Sequence, residues 1–273
     1  MKLGAIEAGG TKFVVCIGNE KGEVLERESF PTEAPEKTME NVFKFFDGKE
    51  IEALGVGSFG PIDPDLTSPT YGYITTTPKP GWNNYNIMGA LKERYDIPMA
   101  FDTDVNGAAL GEATFGAAKG LDSALYLTIG TGIGGCLIKD HKVHTGKHFS
   151  AGEFSFIKTN NLDPFTWNHA WCTRNGISGL LQRVQEALET DKEYTGIEIF
   201  EMANKGNEKV IAGIDAFAKE VATQIFNVHI IFDCEKVAIG GGISAQPLLI
   251  ELINKNMNEI FDNLHFDVYH PEI

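Results

Sequence analysis

The 273 residues are 42% hydrophobic and 22% charged, with a formal net charge of −15, a composition that buries a substantial core and excludes the disordered and fibrous classes. So acidic a chain is not expected to bind nucleic acid or anionic lipid non-specifically, although backbone N–H groups can still hold a phosphate. No leader pattern and no apolar run of about 18 residues is present, and the four cysteines form no CxxC pair, so a cytoplasmic protein with reduced thiols and no membrane partner is expected.

In chain order, the pattern predicts a strand over 3–7, a tight turn at Gly9-Gly10-Thr11 and a strand over 13–17. A strand over 23–30 follows, then a helix over 36–46 with Met39, Val42, Phe43 and Phe46 at helical spacing. The run 51–56 reads as a buried strand ending at Gly57-Ser58-Phe59-Gly60-Pro61, followed by a long loop over 63–82. Residues 87–95 are amphipathic, 99–101 form a short strand into Asp102-Thr103-Asp104-Val105-Asn106, and a helix is expected over 107–115. The opening then repeats: a strand over 124–129, a glycine-rich tip over 130–135 and a returning strand over 136–139. Helices are expected over 179–189, 197–204, 207–232 and 247–263, with a strand over 237–239 running into Gly240-Gly241-Gly242. The repeat predicts two α/β lobes, residues 1–118 and 119–273.

Three loops are candidates for chemistry. Gly9-Gly10-Thr11 is either a hairpin turn in which glycine supplies positive φ or a cradle whose N–H groups approach a phosphate. The second tip, Gly130-Thr131-Gly132-Ile133-Gly134-Gly135, favours the cradle, because ordinary turns rarely need four glycines in six residues. Gly240-Gly241-Gly242 offers either close helix–strand packing or bare backbone for adenine and ribose. Asp104 follows a strand, where α/β folds place ligand groups; it could cap a helix or accept a proton from a hydroxyl. No GxxxxGK[ST], no helix-opening GxGxxG and no HExxH occurs, so a P-loop, a dinucleotide fold and a protein zinc site are not expected.

The segments Ile6 to Lys12, Gly57 to Pro61, Thr103 to Asn106 with Ala109 to Glu112, Ile129 to Gly135, Gly152-Glu153 and Gly240 to Gly242 together resemble the ROK family of sugar kinases and repressors. The first half is most similar to the fructokinases of that family, the second to its zinc-free β-glucoside kinase branch. The resemblance implies a two-lobed actin-like (RNase H-like, ASKHA) fold, ATP and Mg2+ as cofactors, no zinc, a sugar in the cleft between lobes and a homodimer. It implies Asp104 as the base, with Gly9, Gly10, Thr11, Lys12, Gly130, Thr131 and Gly132 on the phosphates and Gly241 and Gly242 near the adenosine. Thr103, Asp104 and Glu153 would hold sugar hydroxyls, with Gly60 and Pro61 shaping the pocket.

Three departures qualify these expectations. Glu153-Phe154-Ser155-Phe156 stands where many members have a histidine, and no cysteine cluster follows. The halves point to different sugars: fructose first, with glucose, mannose or a β-glucoside as others. Family members also continue past the equivalent of Ile273, so the usual final helix is expected to be missing. The rivals to a kinase are a silent sugar- or nucleotide-binding protein and a sugar-responsive regulator; the regulator would need a helix-turn-helix before the first strand.

Overall fold

A computed structural model of the chain describes residues 1–159, 164–264 and 266–273. It opens on an antiparallel meander of β1 (Lys2–Ala8), β2 (Lys12–Asn19) and β3 (Val24–Pro31). Ile6 and Ala8 of β1 turn inward while Glu7 between them faces out, as the two-residue period of a strand requires. In α1 (Pro35–Phe46), proline occupies the first turn and Met39, Val42 and Phe46 are buried, a stripe spaced three and four residues apart. β4 (Ala53–Ser58) pairs with β1 in parallel. A two-stranded ribbon, β5 (Tyr73–Ile74) and β6 (Tyr85–Asn86), and helix α2 (Ile87–Lys92) precede β7 (Met99–Thr103), which pairs with β4 in parallel. The sheet order is β3-β2-β1-β4-β7. Helix α3 (Asp104–Phe115) leaves the end of β7 directly.

The second half repeats the device. β8 (Ser123–Ile129) and β9 (Ile133–Lys139) form a hairpin extended at its edge by β10 (Lys142–Val143), and β11 (Lys236–Gly240) pairs with β8 in parallel. Between β10 and β11 lie two 3-10 turns, Phe154–Phe156 and Trp167–His169. After them come α4 (Trp171–Asn175), α5 (Ile177–Leu188), α6 (Gly196–Asn204) and α7 (Glu208–Phe232), and α8 (Pro247–Asp262) follows β11. Thr195 and Glu198 close a capping box at the start of α6, which satisfies two otherwise unbonded N–H groups. No described helix is long and apolar enough to cross a membrane.

The chain divides into two compact units, Met1–Gly111 and Glu112–Ile273. The division falls inside α3. Ala118 is buried and its N–H donates to the Glu112 carbonyl at 3.1 Å, while the Glu112 carboxylate accepts the Ala117 N–H at 2.8 Å. Each unit has its own apolar core, one around Phe13, Phe46, Trp82 and Leu91, the other around α7.

Candidate active site

In the first unit, β1, β4 and β7 end side by side, with Ala8 paired to Ser58 and Ser58 to Thr103. The Phe59 N–H donates to the Ala8 carbonyl at 2.7 Å, which carries the alignment past the strand ends. Gly9-Gly10, Gly60-Pro61 and Thr103-Asp104 therefore all leave the carboxyl ends of the three parallel strands of one mixed sheet, the edge where α/β proteins bind ligands. Gly57 lets β4 lie against α3, since a Cβ there would sit 3.2 Å from the Asp104 Cα. The Gly60–Pro61 peptide is cis, and the Pro61 carbonyl accepts both the N–H and the hydroxyl of Thr75, at 2.8 and 3.1 Å.

Helix α3 starts at Asp104, three residues before the expected position. Its cap is Thr103, whose hydroxyl oxygen accepts the Asn106 N–H at 3.0 Å, so Asp104 is spared the capping role. The Asp104 carboxylate is half-buried, and its Oδ1 accepts the Val105 N–H at 2.9 Å. Burial raises its pKa above the ordinary aspartate range, helped by the negative charge of Glu7 and opposed by the backbone N–H groups of the first turn. A carboxylate whose charge is costly holds a proton more readily, which suits a general base.

The first hairpin is clamped by a residue that the sequence pattern did not single out. Thr32, buried at the end of β3, donates its hydroxyl to the Gly9 carbonyl at 2.6 Å and its N–H to the Thr11 carbonyl at 2.9 Å. Gly9 must be glycine because a Cβ would meet the Lys12 carbonyl at 2.7 Å. Gly10 has no such neighbour within 4 Å and no positive φ. Positive φ is therefore not what this turn asks of its glycines. Lys12 begins β2 with an exposed side chain.

In the second unit the corresponding tip is shorter than expected, Gly130-Thr131-Gly132, because Gly134 and Gly135 belong to β9. A Cβ at Gly135 would collide with the Phe154 ring, and one at Gly132 with the Cys172 thiol; both glycines answer to packing. Gly130, like Gly10, faces open space without positive φ. The start of α5 holds this tip: the Ile177 N–H donates to the Gly130 carbonyl at 2.8 Å. Helix α4 is held to α5 and α7 by Glu220, which accepts from Arg174 at 2.6 Å and pairs with Arg183. Burial would raise the Glu220 carboxyl, but hydrogen bonds from the two guanidiniums outweigh it and hold the pKa below the usual range. β11 ends beside β8, Gly240 opposite Thr128. Gly241, at φ +88°, lies so close to the Ile129 backbone that any Cβ would strike its carbonyl, whereas Gly242 faces open space.

Glu153 sits in the loop after β10, placed by Gly152, where a Cβ would come 3.0 Å from the Gly135 carbonyl. Burial pushes its carboxyl up, although the residue keeps an open side to solvent. Among the described residues no group of three or more His, Cys, Asp or Glu could hold a metal ion. All of the predicted residues but Glu153 thus fall into two sets. Gly9 to Lys12, Gly60, Pro61, Thr103 and Asp104 share one sheet edge in the first unit; Gly130 to Gly132, Gly241 and Gly242 share another in the second. Glu7, Thr32, Asp102 and Cys172 belong to their surroundings and were not foreseen.

The chain is similar to known proteins over nearly its whole length. A model described as the ROK family matches residues 3–270. A Bacillus subtilis (strain 168) protein provisionally named a fructokinase is 54% identical over 265 residues, 96% of this chain and 84% of its own length. A fructokinase of Pediococcus pentosaceus is 37% identical over 260 residues, 93% of this chain and 85% of its own. The crystal structure of a ROK family glucokinase from Streptomyces griseus, in complex with glucose and AMPPNP, superposes with a TM-score of 0.83 at 20% identity, covering 100% of this chain and 94% of that one. The fold is the two-part actin-like α/β architecture, with its hairpin-and-parallel-strand unit used twice.

Proposed function

The chain belongs to the ROK family, and on that premise we propose that it is an ATP-dependent sugar kinase with Asp104 as its base. Fructose is the foremost substrate, by similarity to the fructokinases; glucose, mannose or a β-glucoside are the others in reach. The observation that carries the reading is Asp104 itself: a half-buried carboxylate of raised pKa at the carboxyl edge of β1, β4 and β7, the edge that also carries the Gly9–Gly10 tip. The sugar hydroxyl oxygen attacks the γ-phosphorus, the bond to the β-γ bridging oxygen breaks, ADP leaves, and the hydroxyl proton passes to Asp104. Thr103, Glu153, Gly60 and Pro61 hold the sugar. Gly9 to Lys12 and Gly130 to Gly132 hold the phosphates, and Gly241 and Gly242 lie by the adenosine. Mg2+ arrives largely on the phosphates of ATP, as that ion commonly does.

Glycines that face open space without positive φ distinguish this reading from mere turn chemistry. Gly10→Ala is expected to leave the melting temperature unchanged and to raise KM for ATP several-fold, because its methyl group enters only the space a phosphate would use. Gly241→Ala is expected to destabilise by more than about 1 kcal/mol, from the left-handed backbone alone. Thermal melts and ATP titrations of the two variants check the contrast.

The function itself is tested by coupled detection of ADP over fructose, glucose, mannose, N-acetylmannosamine and cellobiose. Sugar-dependent ADP release is expected, with fructose foremost. Release that no sugar increases removes the kinase reading.

A further inference from the structure

Between β7 and α3 the backbone must turn so that Asp104 faces the sheet edge, and this turn is wired by a second acid, Asp102. One carboxylate oxygen of Asp102, Oδ1, accepts two hydrogen bonds: the Thr103 N–H at 2.8 Å and the Asn106 side-chain amide Nδ2 at 2.7 Å. The Asn106 N–H in turn donates to the Thr103 hydroxyl at 3.0 Å. Asp104 is enclosed by this ring, with the residue before it and the residue two after it both tied to Asp102. An ionised carboxylate only accepts, so the orientation of the Asn106 amide is dictated: its NH2 must face Asp102 and its Oδ1 must face away. Charge assistance makes such bonds shorter and stronger than neutral ones.

Asp102 has a further neighbour outside the turn. The Tyr71 hydroxyl is pushed up by burial and then by the Asp102 charge, and the Tyr71 ring packs edge-on against Phe101 at 6.2 Å. The Asp102 charge therefore bears on Tyr71 as well as on the first turn of the helix that carries Asp104.

We infer that Asp102 is a positioning residue for the phosphoryl-transfer reaction, fixing the Asp104 carboxylate through Thr103 and Asn106 without itself touching substrate. The inference rests on the kinase reading above and adds to it a residue which that reading does not use. It places the control of kcat one residue behind the sugar-binding threonine, in a hydrogen-bond ring that a charge swap can reverse.

The reversal supplies the test. In Asp102→Ala both donors lose their acceptor, and kcat is expected to fall about 100-fold while KM for ATP stays within twofold, because the phosphate hairpins are untouched. In Asp102→Asn the acceptor survives without its charge, and a fall of about tenfold is expected. The double variant Asp102→Asn with Asn106→Asp restores both bonds: Oδ1 of the new amide accepts the Thr103 N–H and its NH2 donates to the new carboxylate. That carboxylate stands in the first turn of α3, where the helix dipole favours it, and kcat is expected to return to within about threefold of the parent.

A purely structural role would lower the melting temperature of the single variants without this selective loss and recovery of kcat. Wild-type kcat in Asp102→Ala overturns the inference, as does a folded double variant no faster than Asp102→Asn. Asp104→Asn is run alongside. Full activity there removes the base and the positioning role together, whereas an inactive Asp104→Asn beside a fully active Asp102→Ala removes the positioning role alone.

Discussion

Replacing Asp104 by Asn is expected to lower kcat by about 10²–10⁴-fold, the range that a positioned acid or base contributes, while making the protein harder to unfold at neutral pH. The two effects share one cause. Burial, and after it the Glu7 charge, hold the Asp104 pKa above its unfolded value. A group whose folded pKa is raised binds its proton more tightly in the folded state, so above that pKa its ionisation weakens the fold. The penalty shrinks as pH falls below the folded pKa and is gone below the unfolded one. Asparagine removes it at every pH, so the melting temperature of Asp104→Asn should exceed the parent's near pH 7 and converge with it in acid. Loss of activity with unchanged or lower stability would argue that the carboxylate is structural.

The same electrostatics predict the acid limb of the rate profile. Activity needs ionised Asp104, so kcat/KM should fall as pH drops through a pKa above the ordinary aspartate value of about 3.9. Glu7→Gln removes the nearby like charge that Glu7 supplies, which lowers the Asp104 pKa, and the acid limb should move to lower pH. A limb that stays in place shows that Glu7 does not bear on the titrating group.

What the sequence displayed of this arrangement depends on how local each signal is. The two glycine hairpins were legible because alternating apolar runs flank them, and both pair as antiparallel strands, Ala8 with Phe13 and Ile129 with Ile133. The last two glycines of 130–135 look like turn residues, yet they belong to β9. What demands glycine at 135 is the Phe154 ring, nineteen residues on, and no local pattern carries that. Helix α3 was expected from Gly107 because glycine and Asn106 read as turn chemistry; the cap is the Thr103 hydroxyl, identifiable only from its bond to the third helical residue. Thr32 and Asp102 were invisible for a related reason. Thr32 bonds a carbonyl 23 residues away, and Asp102 bonds the Thr103 N–H and the Asn106 amide, partners that no local pattern marks. The two-residue strands β5 and β6 are too short to show alternation.

Beside that short ribbon, Trp82 is a residue whose loss the fold should feel strongly. The segment 63–82 read as a Thr-, Pro- and aromatic-rich loop, yet Trp82 within it is fully buried. Its ring lies 5.3 Å from Phe13, 5.7 Å from Phe59 and 5.1 Å from Tyr85, and its indole N–H donates to the Glu33 carbonyl at 2.8 Å. One side chain thus joins the first hairpin strand, the turn before Gly60-Pro61 and the ribbon. Trp82→Ala should cost about 3–5 kcal/mol, a large share of the roughly 5–15 kcal/mol that keeps a domain folded. Trp82→Phe keeps most of the packing and strands only the Glu33 carbonyl, so about 1–3 kcal/mol is expected. Urea titrations should show the midpoint falling in that order with little change in slope. The ribbon also reaches the Gly60–Pro61 turn proposed to shape the sugar pocket, since Thr75 bonds the Pro61 carbonyl and its own carbonyl accepts the Asn84 N–H at 2.8 Å. In Trp82→Phe, which should remain folded, KM for the sugar is therefore expected to rise while KM for ATP holds. Equal changes in both constants would mean that Trp82 supports the unit as a whole and not the Gly60–Pro61 turn in particular.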